Sequence, residues 1–135
     1  MICWEVTIEI DASVYSQFIE WNSKHVNEII RCDGFIKAAI LKPYEEDTTG
    51  DTRIVIIQYI VDSMTSMETY QKKHAPKFRA EAEALFGDKI IGASRRAFTV
   101  LEELISEKNL KFRQKFPHKF FIQFIAHITN MPIWA

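Results

Sequence analysis

The chain has 135 residues, enough for one domain with its own core and too few for two. Hydrophobic residues make up 47% and charged residues 26%, a globular composition that speaks against global disorder. The formal net charge of −1 gives no overall attraction for nucleic acid, although residues 1–105 hold 12 Lys/Arg against 17 Asp/Glu and residues 106–135 hold 5 against 1.

In chain order, Cys3 to Ile10 alternates: Trp4, Val6, Ile8 and Ile10 fall on one face, Cys3, Glu5, Thr7 and Glu9 on the other, which predicts a half-buried strand. Asp11 or Ser13 can cap the helix that follows. In that helix Val14, Phe18, Trp21, His25 and Ile29 mark one face, Val26 and Ile30 widen it, and Asp33-Gly34 is its expected stop. Phe35 to Lys42 reads as a second strand, and YEEDTTGDT as a polar, acidic turn. Arg53 to Val61 (RIVIIQYIV) is the strongest strand signal, apolar on both faces apart from Gln58. From Ser63 the period is helical, with Met64, Met67, Tyr70 and His74 on one side. Pro76 forces a break, or a restart with proline in the first turn, before Phe78, Ala82, Leu85 and Phe86 resume the pattern to Gly87-Asp88. A last strand is best placed at Ser94–Leu101, after an irregularity at Gly92.

The order βαββαβ predicts an α+β, ferredoxin-like fold, with two helices on one face of a four-stranded antiparallel sheet. Two helices cover only one face. Ile54, Ile56 and Ile60 then lie on a face unfit for water, so a homodimer with the open sheet faces packed together is expected. The domain is expected over residues 1–105, with a basic, amphipathic, helical extension over 106–135.

The run WEVTIEID…HVNEII…QYIVDSMTSMETYQKKHAPKFRAEAEALFGDK…FTVLEEL resembles an uncharacterised bacterial family of the dimeric α/β-barrel superfamily, over about residues 3–103. QYIVDS, HAPKFR and FGDK carry most of the likeness. The resemblance implies the fold and the dimer and assigns no catalytic residues. The superfamily it points to includes haem-degrading monooxygenases, quinol-forming oxygenases and small isomerases, with ligands held between helices and sheet. The haem-degrading branch also uses an asparagine on the first strand and a tryptophan ahead of its helix-two histidine. Neither is present here, which disfavours that mechanism. The last 30 residues depart from the family pattern.

His25 and His74 are the candidate catalytic pair, since both helices pack on one sheet face and the two imidazoles could converge over Gln58 or Tyr59. The bland alternative is two half-buried histidines bonded to backbone or carboxylate. Trp21, Gln58, Tyr59 and Tyr70 are the candidate ligand-binding residues. A buried Gln58 amide must be bonded, either to a histidine or to neighbouring backbone. No carboxylate at helical spacing completes a metal site, so neither metal nor cofactor is expected. Of Arg95 and Arg96, one should be solvated, and the other should pair with an acidic residue or bind an anion. Cys32, at a helix C-terminus, is a poor nucleophile.

The start MICWEVTIEID lacks a cationic leader region, no apolar run reaches the roughly 18 residues of a spanning helix, and two cysteines make no disulfide framework. A cytoplasmic protein with free thiols follows as the expectation. In the tail, Phe120, Phe121, Phe124, Ile125, Ile128 and Met131 share one helical face behind five cations. It could pack on the domain or dimer, or lie on a partner or an anionic membrane; nucleic acid is not expected. Two functions remain open: a small, partly apolar molecule bound between helices and sheet, or a non-enzymatic module docking through its tail.

Overall fold

The computed structural model describes residues 1–108. From residue 109 onward the C-terminal extension lies outside the described residues.

Four strands form one antiparallel sheet: β1 (Ile2–Asp11), β2 (Phe35–Leu41), β3 (Thr52–Val61) and β4 (Ile90–Thr99), in the order β2-β3-β1-β4. The alternating β1 and the doubly apolar β3 are therefore central, and they pair in register from Ile2–Val61 to Asp11–Thr52. The helices α1 (Tyr15–Ile29), α2 (Met64–Lys73) and α3 (Ala75–Phe86) cover one face. This is the ferredoxin-like α+β fold, with the second helix of the expected pattern divided in two.

The division follows from Pro76. A continuous helix would need a Pro76 amide to reach the Lys72 carbonyl, and proline has none. The chain breaks two residues earlier, at His74 (φ −117°, ψ −37°), and restarts with Pro76 in the first turn of α3. The other boundaries have equally local causes. Asp11 Oδ1 accepts from the Ser13 amide (2.9 Å) and hydroxyl (2.6 Å), which starts a short 3-10 turn (Ala12–Val14) ahead of α1. Helix α1 ends at Ile29, four residues before the expected stop, and Gly34 (φ +86°) instead shapes the turn into β2. A Cβ there would overlap the Ser66 side chain, so the site needs glycine for space as well as conformation.

Strand β4 begins at Ile90, not at Ser94, and stops at Thr99. The expected Gly92 irregularity lies inside the strand, where the register against β1 shifts between Glu9 and Ile10. Two further expectations need correction: Met64 and Leu85, placed on inward stripes, are 47% and 60% exposed. Each lies in the terminal turn of its helix.

The core lies between sheet and helices. Phe18, Ile10, Ile57, Val55, Val61 and Met67 are its fully buried large side chains, each worth about 1.5–3 kcal/mol of transfer free energy. The opposite sheet face has no helix. It presents Ile54, Ile56 and Ile60 from β3, Leu41 from β2 and Phe98 from β4, around a polar centre made by Glu5, Gln58 and Arg96. At one end of this face the chain leaving β4 crosses the sheet, tied by Val100 N–H to the Met1 carbonyl (3.0 Å) and by Glu103 to Lys37 on β2 (2.8 Å). No helix among the described residues is long and apolar enough to cross a membrane.

Candidate functional site

A cavity of about 240 Å³ lies between the helices and the sheet. Its floor is Trp4, Val6, Ile57 and Tyr59, from the inward faces of β1 and β3. Phe18, Trp21, Asn22 and His25 form the α1 wall, Phe78, Arg79, Ala82 and Glu83 the α3 wall, and Arg95 approaches from β4. The i, i+4 recurrence of Phe18, Asn22 and Val26 and the i, i+3 step from Asn22 to His25 put amide and imidazole on the same inward stripe.

The imidazole of His25 stacks on Trp21, with ring centroids 4.4 Å apart and planes 17° apart, and meets Phe78 edge-on at 4.9 Å. Two aromatic contacts hold the ring, which is half-buried. Its Nδ1 is buried without a hydrogen-bond partner, and so is Nδ2 of Asn22, a residue only 2% exposed. Buried polar atoms are normally satisfied, so two orphans on one cavity wall mark a place where a ligand or water would complete the bonding.

Burial lowers the His25 pKa from its ordinary 6.5, and the nearby Glu81 and Glu28 carboxylates only partly oppose this. The imidazole is therefore neutral at pH 7, able to accept a proton from an acidic O–H or C–H while Asn22 donates to a carbonyl. The linkage sign follows: the unfolded chain binds the proton more tightly, so this contribution to stability is complete above pH 6.5 and is lost as pH falls through the lowered folded value. In an NMR titration the His25 resonances should have a midpoint below 6.5. A midpoint above 6.5 would show that the carboxylates outweigh burial.

Tyr59 and Tyr70 also line the cavity. Burial pushes the Tyr70 phenol up to about 12 and raises Tyr59 further, so both hydroxyls stay protonated.

His25, Trp21, Tyr59 and Tyr70 are thus brought together. Two sequence candidates are not. His74, at the break after α2, is exposed and lines a separate depression with Cys32, Glu28 and Lys73; Tyr70 and Phe78 stand between it and the cavity. The helical spacing that put His74 on the inward stripe ends one residue before it. Gln58 is on the other side of the sheet, because its neighbour Tyr59 takes the inward position. Its Nε2 donates to Glu5 Oε1 (3.0 Å), while Glu5 Oε2 accepts from Arg96. These bonds, Gln58 first, hold the Glu5 carboxyl below its usual range. Of the two arginines, Arg96 makes the acidic pair and Arg95 faces the cavity. Asn22, Arg79 and Glu83 are absent from the sequence candidates; Asn22 had a legible signal, a polar residue inside an apolar helical stripe.

Comparison with known proteins gives a family and a fold. The chain belongs to the family described as Domain of unknown function (DUF4286), whose model matches residues 1–103. No curated protein matches it. Among solved structures it is similar to the heme-degrader MhuD from Mycobacterium tuberculosis, solved with two hemes in its active site (17% identity, 78% of this chain and 100% of that one, TM-score 0.58). It is similar to SnoaB, a cofactor-independent oxygenase from Streptomyces nogalater (13% identity, 78% and 98%, TM-score 0.58). A monooxygenase from Streptomyces coelicolor, in complex with nanaomycin D, is similar at 15% identity over 78% and 92%, with a TM-score of 0.56. At such identities the likeness shows the fold alone. The cavity here does not fit haem: about 240 Å³ is room for one or two fused rings, and the imidazole on its wall is pinned between Trp21 and Phe78.

Proposed function

We propose that the protein is a cytoplasmic homodimer that binds a small, ring-containing, mostly apolar molecule in the cavity between helices and sheet. The observation that carries this reading is the pair of orphaned polar atoms, Asn22 Nδ2 and His25 Nδ1, on a wall otherwise aromatic. Such a wall recognises a flat ring bearing an oxygen, with the ring against Trp4, Trp21 and Phe78 and the oxygen at Asn22 and His25. Support from relatives is of the same kind: proteins of this fold are described with haem or nanaomycin D bound. His25, neutral and held in place, could act as a base on the bound molecule; His74 is too far outside to be its partner. The dimer is supported by the open sheet face, whose aliphatic residues surround an already internally satisfied polar centre. Two free thiols, Cys3 and Cys32, are compatible with a reducing compartment.

The test uses 2-naphthol, a two-ring probe with one hydroxyl. Isothermal titration should give a Kd of about 10 µM to 1 mM, the range open to a ligand of that size. The side-chain amide signal of Asn22 should shift on binding. Titration to the solubility limit with neither heat nor an amide shift would sink the reading.

A further inference from the structure

Of the five arginines among the described residues, Arg53 and Arg96 have carboxylate partners, Glu46 and Glu5. Arg31, Arg79 and Arg95 do not, and the last two line the cavity. Among the described residues no carboxylate lies within 4.0 Å of the Arg79 or the Arg95 guanidinium; Arg79 has only the neutral Gln71 side chain, which accepts from its Nη2 at 2.9 Å. Residues 109–135 contain no aspartate or glutamate that could supply one. The two side chains come from different elements, α3 and β4, so neither is there to stabilise the other's helix or strand. Both act on the same group: their positive charges oppose the burial that raises the Tyr70 phenol. Both side chains are exposed at the rim of one aromatic cavity, from opposite walls and without a carboxylate in salt-bridge reach, so an anion entering the cavity is drawn to both. The basic segment beyond residue 105 has the wrong charge to serve.

We infer that the ligand is an aromatic carboxylate, its ring held among Trp4, Trp21 and Phe78 and its carboxylate between Arg79 and Arg95. This deepens the reading above and rests on it. A guanidinium offers two parallel N–H donors that match the two oxygens of a carboxylate, and the pairing is stronger inside a partly desolvated cleft than in water. The carboxylate supplies the charge, and a ring oxygen completes Asn22 and His25. The charged lining, Arg79 and Arg95 against Glu83, is one positive charge in excess, which matches a ligand with a single negative charge.

A matched pair of probes tests this: 2-naphthol and 6-hydroxy-2-naphthoate, the same ring and hydroxyl without and with a carboxylate. At pH 7.5 and low salt the naphthoate should bind at least ~10-fold more tightly, with the advantage shrinking as salt is raised. In Arg95→Gln and in Arg79→Gln, each first shown folded by its melting temperature, the ratio of the two affinities should collapse towards one. If 2-naphthol binds and the naphthoate binds no better, the carboxylate inference is overturned while the cavity reading stands. Should both arginine variants keep the ratio, the inference is overturned likewise. If neither probe binds, both fall.

Discussion

Replacing Ile56 by aspartate is expected to turn a dimer into a folded monomer at about 10 µM, with the self-association weakened by at least ~1,000-fold. Ile56 lies on the face without helices, directly opposite Thr7 on one neighbouring strand and Leu41 on the other. Ile54 neighbours it along β3 and Ile60 lies beyond Gln58 on the same face, and Leu41 and Phe98 extend the apolar surface to the edges at 39% and 43% exposure. Two-fold packing of such faces would place each copy's aspartate in the same desolvated layer, so two like charges would be buried without partners. The helix side of the sheet is untouched, so each monomer should keep its circular dichroism spectrum. Sedimentation velocity is the measurement. A wild-type chain that sediments as a monomer at this concentration would remove the dimer outright, and an aspartate variant that stays dimeric would place the interface elsewhere.

The polar centre of that face bears on specificity. Glu5 is only 8% exposed in the isolated chain, held from β3 by Gln58 and from β4 by Arg96. Such a group adds little net affinity when its partners are already in place. In the proposed dimer it would penalise any packing of the two sheets that separates the three side chains, and so would favour one register over others.

What the sequence made legible was governed by short-range rules. Strand parity in β1 and β3 gave both faces of the sheet, including the apolar face that needs covering, and helical spacing in α1 gave Trp21 and His25 their cavity positions. Where the reading failed, a local pattern was carried past the point at which the backbone stops obeying it. His74 continues the stripe of Met67 and Tyr70 only if the helix continues, and Pro76 ends it before His74 can turn inward. Gln58 was grouped with Tyr59 although adjacent strand residues face opposite ways. The two cavity arginines depend on α3 and β4 lining one cavity, and no periodicity within either segment contains that placement. Asn22 is different. It was visible as a polar side chain on an apolar stripe, and only the folded packing shows that its Nδ2 has no partner.

Asn22→Leu should therefore separate stability from binding. Leucine has a similar size, and it removes a buried donor that has no partner in the free protein, a group whose desolvation costs about 1–3 kcal/mol. The variant should gain about 1 kcal/mol and melt roughly 4–8 °C higher at equal protein concentration. The same change deletes the donor aimed at a ligand oxygen, so 2-naphthol should bind at least ~10-fold more weakly. A site built for binding keeps an unsatisfied group that folding alone would eliminate. Thermal denaturation and isothermal titration on one preparation read both effects. Loss of stability would show that Asn22 is already bonded in the free protein, by a water for instance, and is a structural residue. A more stable variant with unchanged affinity would take Asn22 out of the site and leave His25 as the one polar contact on the α1 wall.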